Sequence, residues 1–231
     1  MSNPARVDVT YPALLRRTDD DVCSLEEAVS ASQGAPHAVG SAVPGRVEKQ
    51  MAQNATIYKV ELSVSDMDRH YYETHKLTVA KHPSETDERL MLRIVAFALN
   101  AHEHLEMTKG LSTDDEPDLW QKSLSGEIEV WVALGLPSEK VLRQSCSKAG
   151  KVIVYPYGGR AADLWWEKIK GGVTRFSNLT IVNFPAEDTA ALEKLAKRAM
   201  KLQINIQDGE IMIGTEGSAI YVTPETWLAA V

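Results

Sequence analysis

The segment HPSETDERLMLRIVAFALNAHEH, residues 82–104, restricts the fold more than any other stretch of the chain. At 100° per residue, Leu90, Met91, Leu92, Ile94, Val95, Phe97, Ala98 and Leu99 cover most of a helical circumference. A helix that apolar has to be buried, and a sheet is the surface that can bury it. Pro83 suits the first turn, and Glu85, Asp87 and Glu88 suit the positive end of the helix dipole. One polar stripe is left, carrying Glu85, Arg89, Arg93 and Asn100, and it must meet water or a polar cleft. As an exposed ladder of i,i+4 ion pairs it contributes roughly 0.3–0.5 kcal/mol per pair. The sharper expectation puts Glu85 at the mouth of a cleft, as a ligand to a metal or a water.

The rest of the chain supplies the sheet. ATIYKVELSVSD alternates as a strand, and YETHKLTVAKH is its expected hairpin partner. After the helix come a short strand at LEMTKG, a loop through LSTDDEPDLW, and the strand EIEVWVALG. A helix at PSEKVLRQSCSKAG leads into KVIVYPYG, an almost continuous apolar run of the buried parallel kind. Then come a helix at RAADLWWEKIKG, the strand LTIVNF and a helix at EDTAALEKLAKRAM. LQINIQDGEIMIG and SAIYVT close the chain, with Asp208-Gly209 as a two-residue hairpin turn. Strand–helix alternation flanked by hairpins predicts an α/β fold, a mixed β-sheet with flanking helices.

Residues 1–50 read differently. ASQGAPHAVGSAVPGR has no period and is rich in Ala, Ser, Gly and Pro, so a disordered N-terminal extension is expected there. A short helix is the exception, at DDDVCSLEEAVS. Met51 reads as the start of the compact domain, 51–231, with the first fifty residues an upstream extension or a regulatory tail. The 231 residues are 44% apolar, enough for one domain with a real core. No apolar run reaches membrane-spanning length, and the N-terminus has no secretory h-region. Cys23 and Cys146 make no disulfide framework, so a cytoplasmic setting is expected. The net charge of −7 argues against broad nucleic-acid coating, though it leaves room for a local basic groove.

Familiar catalytic signatures are absent: no phosphate loop, no dinucleotide turn, no nucleophile elbow and no Cys-x-x-Cys pair. On a helix, His102 and His104 would point ~200° apart and could not share a metal. In TDDEPDLW three acids precede a proline and a fourth comes after it. Such loops are usually solvated, but a hard cation such as Mg²⁺ takes one or two carboxylates at strand ends, and Asp115 or Glu116 could supply one. In IEVWVALGLPSEK, Glu127, Glu129, Trp131 and Ala133 share one strand face, and Ile128, Val130, Val132 and Leu134 the other. A metal nuclease needs an acid at the end of that strand, and Ala133 stands there. Glu129 is roughly 13 Å back along the strand and cannot replace it.

ATIYKVELSVSDMDR, LTVAKHPSETDERLMLRIVAFAL, GLSTDDEPDLW, VWVALGLPSE and IQDG, in that order, resemble the YaeQ family of bacterial proteins from Met51 to about Val222. The resemblance implies a variant of the PD-(D/E)XK fold: a restriction-endonuclease-like core of a helix, three strands, a helix and a strand, with extra hairpins. It also implies a site in which two strand acids bind Mg²⁺ and a lysine two residues after the second acid serves the attacking water. Carried onto this chain, Asp115, with Glu116 beside it, is the first acid. Glu85 is an accessory acid from the first helix, and Asp115 and Glu85 would hold the metal. The second acid belongs in a Trp-Ile-Glu/Asp-x-Gly stretch that here reads Trp131-Val132-Ala133-Leu134-Gly135, so both the acid and the lysine, at Gly135, are missing. Of the basic pair on the next helix Arg143 remains and Gln144 does not; the Asp after Leu-Pro is Ser138.

The resulting expectation has Glu85, Asp115, Glu116 and Arg143 as the site, with Mg²⁺ weakly held or not held at all. Arg143 can hold a phosphate but is a poor base. The function implied is Mg²⁺-dependent phosphodiester hydrolysis on DNA or RNA, or nucleic-acid binding with a degenerate site. The rival is a non-enzymatic module that binds a protein partner, its supports being the acidic net charge and the pair Trp165-Trp166 if either indole is exposed.

Overall fold

A computed structural model of the chain describes residues 55–108 and 116–230. The expected N-terminal extension with its short helix, and Asp114 and Asp115, lie outside the described residues. Among those described, strands and helices run β1 (Thr56–Asp66), β2 (Tyr71–Lys81), α1 (Asp87–Leu99), β3 (Leu105–Met107), β4 (Leu119–Lys122), β5 (Ile128–Leu134), α2 (Glu139–Lys148), β6 (Ala149–Tyr155), α3 (Arg160–Val173), β7 (Leu179–Asn183), α4 (Ala186–Glu193), β8 (Ala199–Gln207), β9 (Glu210–Gly214), β10 (Ala219–Val222) and β11 (Glu225–Leu228).

The strands make two sheets where the sequence suggests one. A five-stranded sheet has the order β10-β9-β8-β1-β2, and a six-stranded sheet the order β11-β7-β6-β5-β4-β3. In the first, the hairpins from the two ends of the domain join through parallel pairing of β1 with β8. In the second, β3, β4 and β5 are an antiparallel meander, and β5, β6 and β7 are parallel. Parallel strands need crossovers, which α2 and α3 provide.

α1 does what its composition demands. Residues Leu90 to Ala98 are all buried, Arg93 included. They form one core with Val60, Leu62 and Val64 of β1, Leu202 and Ile204 of β8, and Val132 and Leu134 of β5. The helix is thus held between the two sheets' inner faces. Trp131 and Ala133 point the other way, into a second core under α2 and α3 with Leu142, Val152, Val154 and Ile169. The face assignment predicted for β5 holds at these positions, while Ile128, next to a register shift, joins the second core.

Several boundaries move. α1 begins at Asp87, with Thr86 as N-cap accepting from the Arg89 N–H at 3.1 Å, because residues 82–85 fold back as a turn. It ends at Leu99, so His102 and His104 are not on a helix; their rings meet edge-on at 5.5 Å. The last helix stops at Glu193, since Ala199 and Met200 are drawn into β8 alongside Lys59 and Val60. The expected Asp208-Gly209 turn is present, both residues at positive φ.

Candidate functional site

The polar stripe of α1 meets the end of β5. Glu85 is 5% exposed and Arg93 1%, so the exposed-ladder reading is wrong for both. Arg93 Nη1 donates to both Glu85 carboxylate oxygens at 2.9 Å, and its Nη2 reaches the Thr108 carbonyl at 3.4 Å. Arg89 sits between two acids, 3.3 Å from Glu85 Oε1 and 2.6 Å from Asp118 Oδ1. The carboxylate of Asp118 also accepts the Leu134 N–H at 2.8 Å through Oδ2, while its own N–H donates to the Val132 carbonyl at 2.9 Å. A side chain therefore takes the place of a backbone carbonyl at the last rung of the β4–β5 ladder. The result is a chain of alternating charges, Arg93–Glu85–Arg89–Asp118, that ties α1 to the outgoing end of β5.

Burial holds this together and loads it. Desolvation raises the Asp118 pKa above the ordinary 3.8, opposed by Arg89, the Leu134 N–H and Arg93. Tyr157, just beyond β6, lies in the same field: burial raises its pKa, Arg89 lowers it, and Glu88, Asp118 and Glu85 raise it. Tyr155 at the end of β6 is pushed up to about 12 by burial, with Asn100 Nδ2 donating to its hydroxyl at 2.8 Å. Asn100, the fourth member of the stripe, is thereby satisfied inside the protein.

Among the residues expected at a site, Glu85 is committed to two arginines and accepts the His82 N–H at 3.3 Å, so it faces no open cleft. Glu116 is exposed, and Asp115 lies outside the described residues. Arg143 is on α2, which packs into the second core, so it approaches the six-stranded sheet from the face opposite α1. It shares that face with Ala133, but its guanidinium is exposed and paired with Glu139 at 3.0 Å. The structure brings Glu85 to Asp118 and does not bring Arg143 to Glu85. Ser138, where the family resemblance implies an aspartate, is the N-cap of α2, accepting from Val141 at 3.4 Å.

Asp118 is the residue that sequence reasoning missed. Its signal was in view, as the acid that comes directly after Pro117 and precedes an apolar-aromatic pair, Leu119-Trp120. Asp118 directly precedes β4; its N–H donates to the Val132 carbonyl and its carboxylate turns to Arg89 on the α1 side of the sheet, while Ala133 faces the second core on the other side. Among the described residues no three His, Cys, Asp or Glu side chains come together in a way that could hold a metal. No helix among them is long and apolar enough to cross a membrane.

The tryptophan pair is engaged within the protein. Trp165 donates from Nε1 to the Pro137 carbonyl at 2.8 Å, and Trp166 stacks on Trp227 at 5.7 Å.

Comparison with known proteins gives a consistent result. The family model described as YaeQ protein matches residues 51–224. The uncharacterized protein YaeQ of Escherichia coli (strain K12) is 39% identical over 177 residues, covering 77% of this chain and 98% of that protein. The uncharacterized protein YaeQ of Salmonella typhi is 38% identical over the same length. Among solved structures, the YaeQ protein from Xanthomonas axonopodis pv. citri superposes with a TM-score of 0.74 at 43% identity, over 76% of this chain and 99% of that one. The YaeQ protein from Pseudomonas syringae gives 0.73 at 31% identity, over 77% and 98%. With the family model and full-length relatives agreeing over the same span, the chain belongs to the YaeQ family.

Proposed function

We propose that this chain is a nucleic-acid-binding protein on a restriction-endonuclease-like scaffold, with a centre that no longer supports efficient phosphodiester cleavage. The succession α1-β3-β4-β5-α2-β6 supports the scaffold. It is a helix, a three-stranded antiparallel meander, a helix, and a strand parallel to the last of the three. Asp118, directly before β4, and position 133, next to the end of β5, are the positions at which such a core would carry its two metal acids.

The observation that carries the reading is that Asp118 is taken up by protein partners while the outgoing end of β5 carries Ala133 in place of an acid. Both Asp118 oxygens are engaged, one by Arg89 and one by the Leu134 N–H, and Ala133, turned to the second core, offers no donor. A divalent hard cation needs oxygen ligands to replace its water and neutralise its charge. This donor set does not fit Mg²⁺. Glu85 is held by arginines and Glu116 stands in solvent, so neither supplies the missing ligand on present geometry.

Calorimetric titration of Mg²⁺ and Mn²⁺ tests this, beside a plasmid-nicking assay and an Ala133→Glu variant. The native chain is expected to show neither metal uptake nor nicking, and Ala133→Glu to gain metal binding. Metal-dependent nicking by the native chain, abolished in Asp118→Asn or Asp115→Ala, would overturn the degenerate-site reading. Binding is read separately by mobility shift, and phosphate contacts require that it weaken as salt rises. The protein-interaction alternative keeps the acidic net charge as its support, while the Trp165-Trp166 pair is half-buried and engaged by Pro137 and Trp227.

A further inference from the structure

The five-stranded sheet has one face packed on α1 and the shared core. Its other face carries no helix among the described residues. The register places its side chains in rows. One row crosses all five strands: Tyr221, Met212, Asn205, Ser65 and Tyr72, each paired with the next. The end members are open, Tyr72 at 59% exposure and Tyr221 at 68%. Four strand spacings of about 4.8 Å put them roughly 19 Å apart. The next row, through Gln203, Ser63 and Thr74, is neutral and hydrogen-bonding, with the Ser63 and Thr74 hydroxyls 3.1 Å apart.

Beyond it the face turns basic. Lys76 and Lys201 flank Glu61, and Lys59 stands in the row after. There the face opens into a groove of about 810 Å³ lined by Lys59, Lys76, Lys194, Lys197 and Lys201, against Glu61 and Glu216. Five cations against two anions, in a chain of net charge −7, is a local reversal of sign. Tyr72, Thr74 and Lys76 lie along one strand on one face, so the lysine end and the tyrosine row are about 13 Å apart, joined by the hydroxyl row.

We propose that this open face binds single-stranded nucleic acid. The lysines and the groove take the phosphates, and Tyr72 and Tyr221 stack unpaired bases. The inference rests on the nucleic-acid-binding reading above, and moves the binding surface away from Asp118 and Ala133 to the other sheet. Aromatic rings on a neutral row, with lysines about 13 Å along the strands and Asp208 and Glu210 beside Tyr221, accept any base by its π-face. A duplex hides those faces inside its stack, which favours the single strand as occupant.

The test is fluorescence anisotropy on the full chain with a labelled single strand of about 20 nucleotides, longer than the roughly 4–16 that one such fold covers. The same sequence as duplex and unlabelled heparin serve as competitors. Removing either tyrosine (Tyr72→Ala, Tyr221→Ala) is expected to weaken binding about fivefold or more, the range of one base–aromatic stack. Lys76→Ala with Lys201→Ala is expected to reduce the slope of log affinity against log salt by about 1.4, two phosphates at ~0.7 each. Lys168→Ala, on α3 over the six-stranded sheet, should leave binding unchanged. All these side chains are exposed, and circular dichroism verifies that each variant folds. If the native chain binds but the tyrosine and lysine variants bind equally well, the nucleic acid lies elsewhere and this inference fails while the function above stands. Preference for duplex, or heparin competing as well as the single strand with no tyrosine effect, also overturns it. No binding by the native chain ends both.

Discussion

Replacing Glu85 by glutamine removes one charge and almost no volume, and the surrounding geometry sets its cost. The Arg93 guanidinium has 2% of its side-chain surface exposed, and among the described residues Glu85 is its one acidic partner. Arg89 keeps Asp118 at 2.6 Å, so it is not stranded. Glu85→Gln therefore leaves one buried cation facing a neutral amide, and removing one partner of such a pair costs about 3–5 kcal/mol. An exposed i,i+4 ladder would lose only about 0.3–0.5 kcal/mol per pair, so the two accounts of the stripe differ roughly tenfold. Urea unfolding gives the free energy directly. In a thermal scan the same loss is about 6–20 °C, at 2–4 °C per kcal/mol for a domain of this size. A companion variant sharpens the case: Glu85→Leu with Arg93→Met removes both charges together and is expected to recover most of the loss, since an apolar replacement of a buried pair is often neutral or stabilising. A Glu85→Gln cost below about 1 kcal/mol would show that water reaches Arg93, and the buried-chain account would be refuted.

The same burial has two more measurable consequences. Because burial raises the pKa of Asp118 above 3.8, its native state holds a proton that the unfolded chain has released. Relative to Asp118→Asn, stability should fall as pH rises through the window just above that value, and a rise there in urea unfolding would reverse the sign of the argument. The Cys146 thiol is pushed up to about 11 by burial, so in a Cys23→Ser background it should alkylate far more slowly at pH 8 in the native protein than in urea; equal rates would mean an open, ionisable thiol.

What the sequence makes legible is what local pattern controls. The eight apolar positions of α1, the alternating faces of β5 and the Asp208-Gly209 turn are periodicity and turn chemistry, and the coordinates repeat them. β4 is different. Its four residues, Leu119–Lys122, are too short and polar to announce a strand, and they become one because β3 and β5 pair on either side. The end of α4 is the same case reversed. Lys194 to Met200 keeps a helical composition, but parallel pairing with β1 turns its last two residues into strand. The stripe is the third case. Four-residue spacing shows that Glu85, Arg89 and Arg93 share a face, and says nothing about whether that face meets water. Only the approach of Asp118, 29 residues on from Arg89, settles it.

That approach gives Asp118 a structural task that needs no metal. Its carboxylate closes the β4–β5 ladder through Leu134 and anchors α1 through Arg89, so its presence in the chain is accounted for without catalysis. The proposed degenerate site gives one more prediction. A glutamate at position 133 would extend from the strand face that Ala133 now presents to the second core, the face opposite α1. A carboxylate among the apolar side chains of that core is costly unless it is protonated or meets a cation from solution, since Arg89 is on the other face and already shared by Glu85 and Asp118. Ala133→Glu should therefore be less stable than the native chain without divalent metal and regain stability as metal is added, by an amount that grows with the logarithm of metal concentration above its dissociation constant. A variant equally stable with and without metal would show that a carboxylate at position 133 takes up no cation there, against the metal uptake expected of it.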